Sequence, residues 1–338
     1  MTLSDLEHFR NLLIERSANL AGWLDAPSAA GEEDVHKAQL LLSLIKEALG
    51  RVDDHTFGTC KVCQEGVELH RLEVQPITEV CLGCISKQEQ SQLEEELFLA
   101  SKIHRALLPQ TIGKIDGFEV AVKSLAARMV GGDYYDFLPA NGNGMARVVI
   151  ADVMGKGIPA GLLMSNVQGA LRVLAEEIDS PRLLLSRLNH WICRNVPVTK
   201  FVSLACIGVE TGFGKSSRLL LANAGHCPPL IVRSDGRVEE LEPTGGVLGV
   251  HEGFDYQECN HELYPDDLIL LYTDGVTEAE DQDGEMYGEG RLIEFVSTRR
   301  TDPLETLLYD LLSSVRGFSP KPELADDYTV IALRKLKS

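Results

Sequence analysis

Four short stretches place an aspartate directly before or after an apolar run. GGDYYDF carries Asp133 behind two glycines, and VVIADVMGKG ends on Asp152 before a glycine-bearing turn. LILLYTDGVTEAED brings Asp274 to the end of another run, and ADDYTVIAL sets Asp326 and Asp327 just ahead of a last one. A single aspartate at a strand end is ordinarily a turn residue or a helix cap. Four of them, two followed by sharp glycine turns, make a different case, because strand ends bring distant side chains together on a rigid frame. Carboxylates, with backbone carbonyls and water, are the oxygen ligands that Mg²⁺ and Mn²⁺ prefer. No paired histidines at helical spacing point to catalytic zinc instead.

A second constellation lies near the N-terminus. Cys60–Cys63 and Cys81–Cys84 are two CxxC pairs separated by 17 residues. Each pair puts two thiolates on one side of a tight knuckle, and two knuckles close a tetrahedron, the arrangement of a structural zinc site without an open position. In a reducing compartment these thiols do not persist as disulfides. The other cysteines, Cys193, Cys206, Cys227 and Cys259, stand singly and are expected to be small buried hydrophobes.

The elements that hold these residues follow from periodicity. Residues 2–22 and 34–50 carry Leu, Ile and Val at helical intervals around the loop-like DAPSAAGEED, which predicts a helical hairpin. The cysteine cluster follows, and then a charged helical stretch from about Ser86 to Leu108, closed by Pro109. Leu93, Leu97, Ala100, Ile103 and Leu107 form one narrow stripe on it, the pattern either of a coiled-coil dimer seam or of a helix packed on the next domain. From Phe118 onward FEVAVKSL, RVVIADV, FVSLACIGVE, RLLLANA, PLIVRSDGRVEEL, DLILLYT and YTVIALR read as strands bounded by turns. Helical runs sit at 159–177, 180–195, 288–299 and 303–315. Consecutive strands with few helices between them predict an α+β fold with mainly antiparallel sheets.

Composition narrows the functions. The chain of 338 residues has 51 acidic against 32 basic residues, a net charge of −19, and no Lys/Arg cluster of the kind that grips phosphate backbones, so nucleic acid is not the expected ligand. No apolar run approaches the roughly 20 residues that span a bilayer. The opening MTLSDLEHFRNLLIERS does not read as a secretory leader, and the expected compartment is the cytoplasm.

Two resemblances add to this reading. FGTCKVCQEGVELHRLEVQPITEVCLGC resembles the DksA/TraR family of zinc fingers over roughly residues 40–90. That resemblance implies one structural Zn²⁺ on Cys60, Cys63, Cys81 and Cys84. It also brings an alternative function, since those proteins bind RNA polymerase through acidic residues at a coiled-coil tip, here the loop around Asp25–Asp34. From about Glu94 onward, EEELFLASKIHRALLP, GGDYYDF, ADVMGKG, NAGHCPPL, TGGVLGV, TDGVTEA and DDYTVIALR occur in the order of the SpoIIE/RsbU branch of the metal-dependent (PPM, 2C-type) serine/threonine phosphatases.

This second resemblance implies a β-sandwich of two antiparallel sheets flanked by helices, holding two Mn²⁺ or Mg²⁺ ions. Asp152 would bridge the ions, with Asp133 and the backbone carbonyl of Val153 on one side and Asp274 and Asp326 on the other. Asp326 is preferred to Asp327 because the family ligand lies three residues before the threonine, here Thr329, which leaves Asp327 a supporting place. His226 is a candidate general acid, with a packed turn histidine the stronger reading. Glu278 and Asp136 are candidates for supporting metal-bound water, and Arg128 is a weak candidate for binding phosphate. The expected organisation is a zinc-bearing helical hairpin over 1–85, a linker helix over 86–110 and a phosphatase domain over 111–338. The expected substrate is a phosphorylated regulatory protein, an anti-sigma-factor antagonist of the STAS fold, with the enzyme a homodimer regulated by its zinc module. An inactive phosphatase domain that merely regulates a partner-binding module is the alternative.

Overall fold

In the computed structural model, residues 3–25, 32–85, 87–138, 145–197, 199–210, 216–320 and 324–337 are described. The tip expected around Asp25–Asp34 lies largely outside them. The chain divides into two compact units, Met1–Glu95 and Glu96–Ser338.

In the first unit, α1 (Leu3–Asp25) and α2 (Glu32–Asp53) lie antiparallel. Phe9 and Leu13 from the start of α1 share a core with Ile45, Ala48 and Val52 from the end of α2, and Arg10 pairs with Asp53 at 2.8 Å. Phe57, Cys60, Leu72 and Cys81 complete that core, so the knuckles and the short α3 (Leu69–Val74) are built onto the hairpin. The next helix, α4, spans Lys87–Leu107. Its expected stripe is only partly covered: Leu97, Ala100 and Leu107 are half-buried, Leu93 and Ile103 are 39% and 56% exposed, and His104, next to Ile103, is 6% exposed.

The second unit is a sandwich. Its elements in order are β1 (Phe118–Leu125), β2 (Tyr134–Leu138), β3 (Met145–Val153), α5 (Ile158–Glu177), α6 (Pro181–Asn195), β4 (Val202–Glu210) and β5 (Ser217–Ala224). There follow β6 (Leu230–Val232), β7 (Val238–Glu240), β8 (Cys259–Leu263), β9 (Leu268–Tyr272), α7 (Gly288–Thr298), α8 (Leu304–Phe318) and β10 (Tyr328–Lys335). One sheet runs β1-β10-β9-β6-β7 and the other β2-β3-β4-β5-β8. All pairings within them are antiparallel.

The alternation of side chains along a strand sorts the residues into layers. Val148 and Ile150 of β3 meet Ile269 and Leu271 of β9 and Ile331 and Leu333 of β10 between the sheets. Val149, Ala151 and Val153 turn outward to Met164, Val167 and Leu171 of α5 and Leu184 and Leu188 of α6. On the far side Leu268, Leu270, Val330 and Ala332 pack against Leu292 of α7 and Leu308, Leu311 and Val315 of α8. Strands buried on both faces explain the near-continuous apolar runs of β3, β9 and β10. Cys206 is buried as expected, Cys193 and Cys227 are partly buried, and Cys259 is exposed, a correction to the reading that buried all four. Cys259 lies on β8, an edge strand of its sheet, where one flank has no neighbouring strand among the described residues. Among the described residues no helix is long and apolar enough to cross a membrane.

Candidate functional site

The aspartates converge at one end of the sandwich. Tyr134 pairs with Ala151, and one step further along the same register Asp133 comes beside Asp152. Val330 pairs with Tyr272, and one step further Thr273 and Thr329 exchange a backbone hydrogen bond of 3.0 Å, which brings the chain before β10 against the chain after β9. Asp274 opens a short helical turn there, near Asp326. Each sheet thus contributes two ends.

Burial raises the carboxyl of Asp133 well above its usual range, with Asp152 and Asp327 adding to the effect. Burial also pushes Asp152 up to about 7, helped by Asp274, Asp326 and Asp327. Asp274 is pushed up to about 6 by burial, then by Glu278 and Asp326. These are carboxylates crowded in a poorly solvated place, short of positive charge.

Close backbone approach holds the array together. A Cβ on Gly132 would sit 2.8 Å from the carbonyl oxygen of Val153 and 3.3 Å from Oδ1 of Asp152. A Cβ on Gly275 would lie 1.9 Å from the carbonyl oxygen of Asp327, which no side chain tolerates. Asp327 accepts hydrogen bonds from the amides of Ala127 (2.7 Å) and Gly132 (2.5 Å), so its carboxylate is engaged in holding the loop before Asp133. Asp326 faces a different group: Nζ of Lys156 lies 2.6 Å from its Oδ2.

The remaining candidates separate clearly. Glu278 borders Asp274, its amide donating to the Asp274 carbonyl at 2.7 Å. Asp136 points to the helix layer, where it accepts from Tyr134 Oη at 2.6 Å and Arg172 Nε at 2.8 Å, a strand-to-α5 tie away from the other carboxylates. His226 is buried, with Nδ1 2.8 Å from Ser203 Oγ and its amide donating to Asn223 Oδ1. Burial pushes its imidazole down to about 4, which makes it a neutral packed histidine near pH 7. Arg128 is exposed. Two residues escaped the sequence reading. Thr273 donates from Oγ1 to Asp133 Oδ2 at 2.8 Å and accepts from the Thr329 amide, and its signal was a hydroxyl directly before Asp274. Lys156, the lysine between the glycines of MGKG, is the other.

A donor set of carboxylates and one carbonyl, with carboxyls raised by burial and by one another, fits hard divalent cations. The cysteines fit zinc. Their four sulfurs lie within 4.8 Å of one another, the one such group of metal-binding side chains among the described residues. Cys63 Sγ and Cys81 Sγ are 3.6 Å apart, close to the roughly 3.8 Å edge of a tetrahedron with zinc–sulfur bonds of about 2.3 Å. The amides of Cys63, Cys81 and Val62 lower the Cys60 thiol to about 6, while hydrogen bonding to Cys63 and Cys81 pushes Cys84 up to about 12. Four thiols so close ionise together only around a cation.

A family model described as Stage II sporulation protein E (SpoIIE) matches residues 142–336. The chain belongs to the SpoIIE family. The phosphoserine phosphatase RsbU of Bacillus subtilis (strain 168) is 30% identical over 249 residues, which cover 73% of this chain and 72% of RsbU. The structure of the RsbU and RsbW domains of Rv1364c from Mycobacterium tuberculosis is similar with a TM-score of 0.57 and 26% identity, over 66% of this chain and 61% of that one. The SiaA-PP2C domain of Pseudomonas aeruginosa shares the fold with a TM-score of 0.62 and 21% identity, over 73% of this chain and 98% of that one. The SpoIIE domain is thus of the PP2C type, in a family of serine/threonine phosphatases. A second model, the prokaryotic dksA/traR C4-type zinc finger, matches residues 55–90.

Proposed function

We propose that the chain hydrolyses a phosphoserine or phosphothreonine monoester on a regulatory protein, with Asp133, Asp152, Asp274, Asp326 and the Val153 carbonyl holding two Mn²⁺ or Mg²⁺ ions. The observation that carries this reading is the array of carboxylates at one end of the sandwich, with Asp152 and Asp274 pushed up to about 7 and about 6 by burial and by one another. When bound, such a pair of cations supplies an activated water for in-line attack on phosphorus and neutralises phosphoryl oxygens. Asp152, whose carboxyl feels Asp274 and Asp326 of the other sheet, would be the ligand shared by the two ions. Thr273 fixes the Asp133 carboxylate through its hydroxyl. Asp327 holds the loop before Asp133 through two backbone amides. No side chain is assigned as nucleophile.

The substrate class rests on likeness to RsbU, and its finer form is a STAS-type antagonist of an anti-sigma factor. The division is a zinc-bearing hairpin over 1–85, a linker helix over 86–110 and a phosphatase domain over 111–338, with one structural Zn²⁺ on the cysteines. Phe98, Leu99 and Ile103 are each more than half exposed on α4, which supports a homodimer through that helix.

The test is hydrolysis of a phosphoserine peptide by wild-type and Asp152→Asn proteins with Mn²⁺, Mg²⁺ or EDTA. Turnover should require metal and fall at least about a thousandfold in the variant. Activity of the variant within about twofold of wild type would end the two-ion assignment.

A further inference from the structure

Charge at the site does not balance once a substrate arrives. Ionised Asp133, Asp152, Asp274, Asp326 and Asp327 carry five negative charges, and two divalent cations return four positive ones. A phosphomonoester brings about two more negative charges, so the complex is left anionic, and a cation from the protein beside the phosphoryl group lessens that excess.

Lys156 stands where that cation is needed. It lies in the turn between β3 and α5, four residues after Asp152, and its side chain reaches the chain just ahead of β10. Its Nζ donates to Asp326 Oδ2 at 2.6 Å and to the carbonyl oxygen of Ala325 at 3.0 Å. The flanking Gly155 (φ +111°) and Gly157 (φ +75°) adopt left-handed backbone that other residues rarely take, a paired bend that sets where the lysine points. Its side chain is 43% exposed, so a ligand can reach it. With Glu278, Arg316 and Asp326 it lines a cavity of about 190 Å³ that has Gly275 in its wall. A second ammonium, on Lys200, lies 3.4 Å from where a Cβ on Gly155 would be, so a second lysine reaches the glycine turn. Two of the three donors of the Lys156 ammonium are engaged by described residues, and the third suits an additional acceptor.

We propose that Lys156 binds the phosphoryl oxygens of the substrate, with Lys200 a supporting charge beside the glycine turn; this rests on the phosphatase reading above. A flexible ammonium can keep its hold on Asp326 while sharing a donor with phosphate. Arg316, on the cavity wall, is available to the acidic flank of a phosphopeptide.

The experiment is calorimetric titration of inorganic phosphate into Mn²⁺-saturated wild-type, Lys156→Gln and Lys156→Arg proteins, after the Mn²⁺ affinity of each has been measured in the same way. KM and kcat for a phosphoserine peptide are read alongside. Lys156→Gln should weaken phosphate about tenfold, the scale of one charge-assisted hydrogen bond. It should raise KM by a similar factor, with Mn²⁺ affinity unchanged or tighter because a neighbouring positive charge is gone. Lys156→Arg should recover part of the phosphate affinity. Phosphate affinity within twofold of wild type in Lys156→Gln overturns the proposal. So does a tenfold loss of Mn²⁺ affinity with phosphate binding intact, which would make Lys156 a positioning residue for Asp326. Wild-type protein that binds no Mn²⁺ at all marks a separate failure, that of the two-ion site, and the proposal falls with it.

Discussion

Asp152 and Asp274 hold protons more tightly in the folded chain than in the unfolded one, where aspartate titrates near 3.9. Their carboxyls are pushed up to about 7 and about 6, burial first and neighbouring carboxylates second. Between roughly pH 4 and 7 the folded chain therefore binds more protons at these positions, and the metal-free protein loses stability as pH rises through that window. Asp152→Asn removes one of the buried like charges. Without metal its melting temperature should exceed that of wild type by several degrees at pH 7.5, and the gap should narrow by pH 5 and close near pH 4, as thermal scans in EDTA would show. Equal melting temperatures at both pH values would contradict the crowding. Protons and cations compete for the same oxygens, so Mn²⁺ affinity of the wild type should weaken as pH falls below about 7, read by calorimetry. At this scale the sequence exposed what lies at strand ends and concealed what depends on facing. Asp133 and Asp136 are three residues apart, yet the pleat and the start of β2 send one toward Asp152 and the other to Arg172. For His226 the stronger reading, a packed turn histidine, agrees with its ring buried against Ser203.

At the level of elements, the site depends on how closely chain segments pass. Gly275→Ala would drive a methyl group into the carbonyl of Asp327, so the segment before β10 must move. The expected result is a loss of about 1–3 kcal/mol in denaturant unfolding and weaker Mn²⁺ binding; unchanged values for both would mean that the turn yields without cost. Most strands were legible because their apolar runs are long and bounded by glycine and aspartate, whereas the short, polar β8 (CNHEL) was not, and the expectation of two antiparallel sheets followed from the family likeness. The contact face of α4 was not. A helical stripe fixes a period, whereas the neighbouring surface chooses which residue fills a recess. Here Gly161 and Val130 form one that takes the His104 ring, whose Cδ2 is 3.3 Å from where a Cβ on Gly161 would be, and Ile103 is left outside.

For the whole molecule, the two units carry independent cores. Cys60 and Cys81 belong to the core formed by Phe9, Leu13, Ile45 and Leu72, separate from the three cores of the sandwich. Stripping zinc from the full chain with a strong chelator should abolish or lower one calorimetric transition. The transition that Mn²⁺ shifts should stay in place, and loss of both together would show that the units unfold as one. Within the sandwich, the carboxylates come in equal shares from the two sheets, Asp133 and Asp152 from one and Asp274 and Asp326 from the other. Any cation shared among them is therefore a clasp across the seam. It resists the sheets sliding or parting, and its tightness reports their spacing. Amide hydrogen exchange near Asp152 and Thr273 should slow when Mn²⁺ is added, and a partner that levers the sheets apart by a fraction of an ångström would loosen the ion without touching a single ligand.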